Sequence, residues 1–145
     1  MTKIHKSALV PYSAEEMYAL VNDVRSYPKF LPWCSSAQVI VETRHQLKAA
    51  LTISKGKVKQ SFTTQNSMEE GRRIEMRLVE GPFKFLKGTW LFEPLGTDGC
   101  EVSLHMEFDF ANSILRLAFG HTFHQVANSL VDAFCQRAEE YYEKR

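Results

Sequence analysis

His105, Glu107 and Asp109 alternate along one short segment of this 145-residue chain, and their types could supply a general acid and a general base. Their parity argues against that role. They alternate with Leu104, Met106, Phe108 and Phe110, so in an extended segment they share the face opposite the apolar residues and point to solvent. Arg73, Glu75 and Arg77 alternate in the same way with Ile74, Met76 and Leu78, and the two charged sets are expected to pair across strands. His121 and His124, three apart, would share one side of a helix. Two histidines with no partner carboxylate or cysteine do not make a metal site, so surface or core histidines are the expectation. Cys34, Cys100 and Cys135 are odd in number and form no CxxC pair, which predicts reduced thiols in a cytoplasmic protein. There is no Gly-rich phosphate loop, nucleophile elbow or HExxH. No catalytic residue and no metal ligand is expected.

The other charged feature is basic. Lys55, Lys57 and Lys59 gather at one turn, and Arg72 and Arg73 at another. Together they would form a small edge able to touch RNA phosphates, against the plainer reading of solvated hairpin tips. The net charge of +1 gives no global pull towards nucleic acid or an anionic membrane.

These side chains need elements to hold them. Residues 2–10 read as a strand ending before Pro11. Ser13-Ala-Glu-Glu16 is a capping box opening a helix over about 14–23. From 36 to 110 the apolar residues recur every second position. The series are Ala37, Val39, Val41; Leu47, Ala49, Leu51, Ile53; Ile74, Met76, Leu78; and Val102 to Phe110. This predicts an antiparallel sheet with one wet and one dry face, punctuated by turns at 54–57, 69–72 and 96–99. A last helix spans about 113–143, with Leu115, Phe119, Phe123, Val126, Leu130, Phe134 and Tyr141 near one stripe. At 44% hydrophobic and with no linker, the chain reads as a single domain over 1–145. Its start, Met1-Thr-Lys-Ile-His-Lys6, has no signal-peptide core, and no apolar run reaches a membrane span. Peripheral membrane contact is the most that is expected.

One helix cannot fill the concave side of a seven-stranded sheet, so either bulky side chains close the space or a ligand enters it. The segment Tyr27-Pro-Lys-Phe-Leu-Pro-Trp-Cys34 is aromatic where a loop should be polar, and it cannot continue a regular helix through its prolines. It offers Phe30, Leu31 and Trp33 as a wall of such a pocket. A second proline-braced connector, Glu80–Gly88, offers Phe83, Phe85 and Leu86. Strands would add Phe62, Met76, Trp90, Met106 and Phe108, and the last helix Leu115, Phe119 and Phe123. Gln60, Thr64 and Asn66 share the parity of Phe62 and would put a few polar groups in the concavity. That mixture suits an apolar ligand with a small polar head.

Three stretches carry a resemblance: Val10-Pro-Tyr-Ser-Ala-Glu-Glu-Met-Tyr-Ala-Leu-Val-Asn-Asp-Val24, the Tyr27–Cys34 segment, and Gly81-Pro-Phe-Lys-Phe-Leu-Lys-Gly-Thr-Trp-Leu-Phe92. In this order they resemble the coenzyme Q-binding START-like family over nearly the whole chain. The resemblance implies an α+β helix-grip fold: a curved antiparallel sheet wrapped round a long C-terminal helix, with two short helical pieces after the first strand. It implies no enzymatic activity, no catalytic residues and no obligatory cofactor. Mitochondrial members imply binding of ubiquinone or a similar isoprenoid lipid in support of respiration. The bacterial members that the chain most resembles imply binding to the large ribosomal subunit, a block on subunit association, and a possible antitoxin protein as partner. A third reading, an enzyme of the polyketide cyclase type, needs ionisable groups facing inward.

Overall fold

A computed structural model describes residues 1–143. Strand β1 (Thr2–Val10) is followed by helix α1 (Ala14–Asn22), a 3-10 turn (Val24–Ser26) and helix α2 (Tyr27–Phe30). Six strands come next: β2 (Cys34–Glu42), β3 (Gln46–Lys55), β4 (Val58–Glu69), β5 (Arg73–Glu80), β6 (Phe83–Leu95) and β7 (Gly99–Phe110). Helix α3 (Ser113–Tyr142) ends the described chain. The expected α+β class and element order are found. The sheet is antiparallel and seven-stranded in the order β1-β7-β6-β5-β4-β3-β2. Short turns make β2 to β7 a meander, because each strand can fold back only on its neighbour. The first strand pairs with the last and lies beside α3, which also meets β7, α1 and β4.

Local chemistry sets the helix ends. Ser13 Oγ accepts from the Glu16 N–H at 3.1 Å, and Glu16 Oε1 accepts from the Ser13 N–H at 3.0 Å, completing the capping box of α1. Asn112 Oδ1 caps α3 by accepting from the Leu115 N–H at 2.9 Å. The far end of α3 is tied to α1 by the Tyr142 hydroxyl, which donates to the Glu16 carbonyl at 2.7 Å. Tyr141 leaves the predicted apolar stripe and is 53% exposed.

The two short helical pieces expected after β1 are found as α1 and α2; Pro28 sits in the first turn of α2, where its missing N–H has no intrahelical partner to lose. No regular helix continues through the prolines, since Leu31, before Pro32, turns extended. Four further expectations are corrected. The segment Glu80–Gly88 is not a loop, because Gly81 and Pro82 alone separate β5 from β6. The pairing of β6 with β7 shifts register between Phe83 and Phe85. Phe83 and Leu86 are therefore buried, while Phe85 turns away from the dry face and is half-exposed. A similar shift between Val39 and Val41 leaves Val41 exposed.

The fourth concerns charge. β7 lies between β1 and β6, so it never meets β5. Glu107 pairs with Lys3 at 3.6 Å and Lys87 at 3.3 Å, and not with Arg73 or Arg77. Asp109 accepts from Arg116 at 2.9 Å, and His105 stacks on His5 at 3.9 Å. Arg73 meets Glu69 and Glu75 on its own side of the sheet.

Candidate apolar ligand pocket

Between α3 and the dry face of the sheet a narrow cavity of about 60 Å³ remains. Ligand pockets for drug-sized molecules are on the order of 300–1,000 Å³. Bulky side chains therefore occupy most of the space that one helix leaves open. The gap has room for no more than a few water molecules, and a larger guest enters only if side chains move. Met76 and Met106 are unbranched and line the cavity, so they are suited to give way.

The cavity brings together nine of the residues picked out in the sequence. Trp33 follows α2; Phe62, Thr64 and Asn66 come from β4, and Met76 from β5. Leu86 and Trp90 come from β6, Met106 from β7 and Phe123 from α3. Others lie elsewhere. Phe83 is the hub of an aromatic plug beside the cavity, with Phe110 at 5.3 Å, Phe119 at 6.0 Å and Phe108 at 6.4 Å between ring centres. Phe30 packs on Phe134 at 5.5 Å and lies under the Arg137 guanidinium at 4.9 Å. Leu31 is core, and Gln60, Phe85 and Leu115 are half-buried outside the lining.

Some lining residues were missed by the sequence reading. Ala49 and Leu51 continue the alternation of β3 into the cavity. Val126, Leu130 and Phe134 extend the wall along α3, on the stripe already visible as periodicity. Tyr27 and Val24 add the floor beneath Trp33. The signal for all of these was present as period. What it lacked was the depth at which each position sits.

The lining is apolar apart from a few groups. Thr64 Oγ1 donates to Asn66 Oδ1 at 3.0 Å. The Tyr27 hydroxyl donates to the Val21 carbonyl, and burial pushes its phenol far above the usual range. Among the described residues no carboxylate, histidine, lysine or arginine lines the cavity. The cysteines are free, and burial pushes the Cys100 thiol up to about 11, which favours the protonated thiol over the nucleophilic thiolate. His121 and His124 are exposed on α3, and among the described residues no three His, Cys, Asp or Glu gather as metal ligands.

The basic turns do not form one edge. Lys55, Lys57 and Lys59 surround the β3–β4 tip, whereas Arg72 and Arg73 lie at the β4–β5 turn. The twelve residues of β4 separate them, roughly 35–40 Å along the strand. Lys55 also donates to Gln125 Oε1 of α3 at 3.0 Å, tying its hairpin to the helix beside the cavity.

The family model for polyketide cyclase/dehydrase and lipid transport proteins matches residues 10–135. The chain belongs to this family. Among its relatives, the ribosome association toxin RatA of Pseudomonas aeruginosa is 48% identical over 141 residues, covering 97% of this chain and 98% of that protein. A mitochondrial coenzyme Q-binding protein of Drosophila melanogaster is 26% identical, over 94% of this chain and 55% of its own length. The crystal structure of the Zhui aromatase/cyclase from Streptomyces matches with a TM-score of 0.82 at 16% identity, over 95% of this chain and 93% of that one. At that identity it speaks for the fold alone. The START-like resemblance read from the three motifs is thus shown, and this polyketide cyclase and lipid transport family member has relatives named for a ribosome and for a quinone. Among its described residues no helix is long and apolar enough to cross a membrane.

Proposed function

We propose that this protein is a ribosome-binding regulator that occupies the large subunit in the cytoplasm and blocks its association with the small one. The observation that carries this reading is the 48% identity to a ribosome association toxin along almost the full length of both chains. The exposed Lys55, Lys57 and Lys59 supply cations at one hairpin tip for phosphate contact. A protein antitoxin belongs to the same reading. Sucrose gradients with added protein test it: free subunits should rise as joined ribosomes fall. Unchanged profiles would sink the reading. The triple substitution of Lys55, Lys57 and Lys59 by Glu should weaken the effect and make what remains less sensitive to salt, because fewer phosphate contacts release fewer counterions.

A second reading is favoured by the cavity. Its apolar lining with one polar pair suits a hydrophobic molecule such as ubiquinone, which the similarity to a coenzyme Q-binding protein also supports. The role is binding and not catalysis. Tyr27 is the one cavity group that could move a proton, and burial keeps it protonated. Organic extraction and mass spectrometry of the purified protein should recover a quinone or lipid. An empty extract together with no saturable uptake of added quinone would remove this reading.

A further inference from the structure

We propose that the cleft between α2 and the last turns of α3 takes one unpaired nucleotide of RNA, its base stacked on Tyr141 and its phosphate held by Arg137 and Lys29. The inference rests on the ribosome reading and gives it a second contact besides the lysine tip.

The cleft is about 390 Å³ and shares no lining residue with the apolar cavity under the sheet. Helix α2 brings Lys29 and Phe30 to it, and α3 brings Arg137 and Tyr141, one turn apart. The Arg137 guanidinium lies 4.9 Å from the centre of the Phe30 ring and 5.4 Å from that of Tyr141. Contact with the rings holds it by the attraction of a cation for a π face. It pairs with no carboxylate among the described residues. Stacking uses the plane of a guanidinium and leaves its N–H edge for a forked contact with phosphate. Lys29 and Tyr141 are exposed, so the second cation and the ring are both within reach of a partner.

The lining carries two cations against one carboxylate, Asp23, which accepts from the Ser26 hydroxyl at 2.6 Å. The balance favours an anion. An acidic peptide would use the two cations and leave Tyr141 idle. Unpaired RNA uses both features, because its bases stack on aromatic planes while its phosphates take the N–H donors. The cleft is also joined to the basic tip. Trp33, three residues beyond Phe30, accepts from the Ser54 N–H at 2.8 Å, next to Lys55. Helix α2 and the residues after it therefore connect the two basic groups, and one RNA surface can meet both.

The test uses the full chain labelled with 15N and 13C, and adenosine 5′-monophosphate with its two halves, adenosine and ribose 5-phosphate. The whole nucleotide should move the Arg137 Nε–H and Tyr141 ring signals together, and each half should bind about tenfold more weakly. In sucrose gradients, Tyr141→Ala should need about tenfold more protein to raise free subunits, with an unchanged urea midpoint. Tyr141→Phe keeps the ring and should act as wild type. Arg137→Gln should lose the response to ribose 5-phosphate. Wild-type gradients that shift, with Tyr141→Ala as effective as wild type, overturn the inference and leave the ribosome reading standing. A gradient effect lost in Tyr141→Ala, with neither signal moved by the nucleotide, assigns the cleft to a ribosomal protein and overturns it as well. Unchanged wild-type gradients remove the ribosome reading and this inference with it.

Discussion

Glu107 and Asp109 illustrate how residue type misleads without neighbours. A hydrogen bond from Lys87, with Lys3 nearby, holds Glu107 below the usual carboxylate range. Arg116, helped by the Phe110 N–H, does the same for Asp109. These groups are ionic struts of the outer face. Their folded pKa values are depressed, so they stabilise the protein above the ordinary carboxylate range, and that contribution is lost as pH falls through it. The urea midpoint should therefore drop as pH is lowered from about 5 to about 3. In the double variant Glu107→Gln, Asp109→Asn the drop should be shallower. An identical drop in both proteins would show that these pairs are inert, as many surface pairs are.

At the scale of elements, the turn between β5 and β6 and the strand after it make opposite demands on glycine. Gly81 has φ of +154°, and a Cβ there would lie 2.7 Å from Phe62 Cβ, an atom fixed to its own backbone. Gly81→Ala should cost about 1–3 kcal/mol, read as a lower denaturant midpoint. Gly88 also crowds a neighbour, but the atom met at 2.7 Å is the Cε of Met76, the free end of a flexible side chain. Gly88→Ala should leave stability nearly unchanged and push Met76 into the cavity, weakening uptake of apolar probes. A large loss of stability in Gly88→Ala would show that Met76 cannot yield. The bulge at Phe85 belongs to the same stretch. It spends one residue to carry Phe83 into the aromatic plug and Leu86 into the cavity wall.

For the whole molecule, the cavity and the basic tip belong to one hairpin: β3 and β4 supply Ala49, Leu51, Phe62 and Thr64 to the lining, and Lys55 at the tip donates to Gln125 of α3. Ala127 is buried on α3 and faces the cavity. Ala127→Leu should fill a gap of this size and abolish apolar-probe binding. The rise of free ribosomal subunits in gradients should persist, because the lysines stay outside. Loss of both activities in a folded variant would mean that the cavity's state governs the ribosome-facing surface.

What was legible in the sequence was local. Alternation along β7, the capping box at Ser13 and the stripe on α3 depend on residues a few positions apart, so element type, order and dry face could be read directly. The family motifs were likewise contiguous. Phe85 was misplaced because a bulge depends on the partner strand, and nothing in residues 80–88 alone reveals it. Glu107 and Asp109 were given the wrong partners because strand order is non-local: β1, about a hundred residues away in sequence, takes the place beside β7. Lys59 and Arg72, thirteen positions apart, were joined into one edge because sequence distance does not show that a strand carries them to opposite ends. The apolar pocket lining was fixed by composition and period. Its volume and its depth were decided only when α3 settled on the sheet, because a cavity is the space left over by contacts among segments distant in the chain.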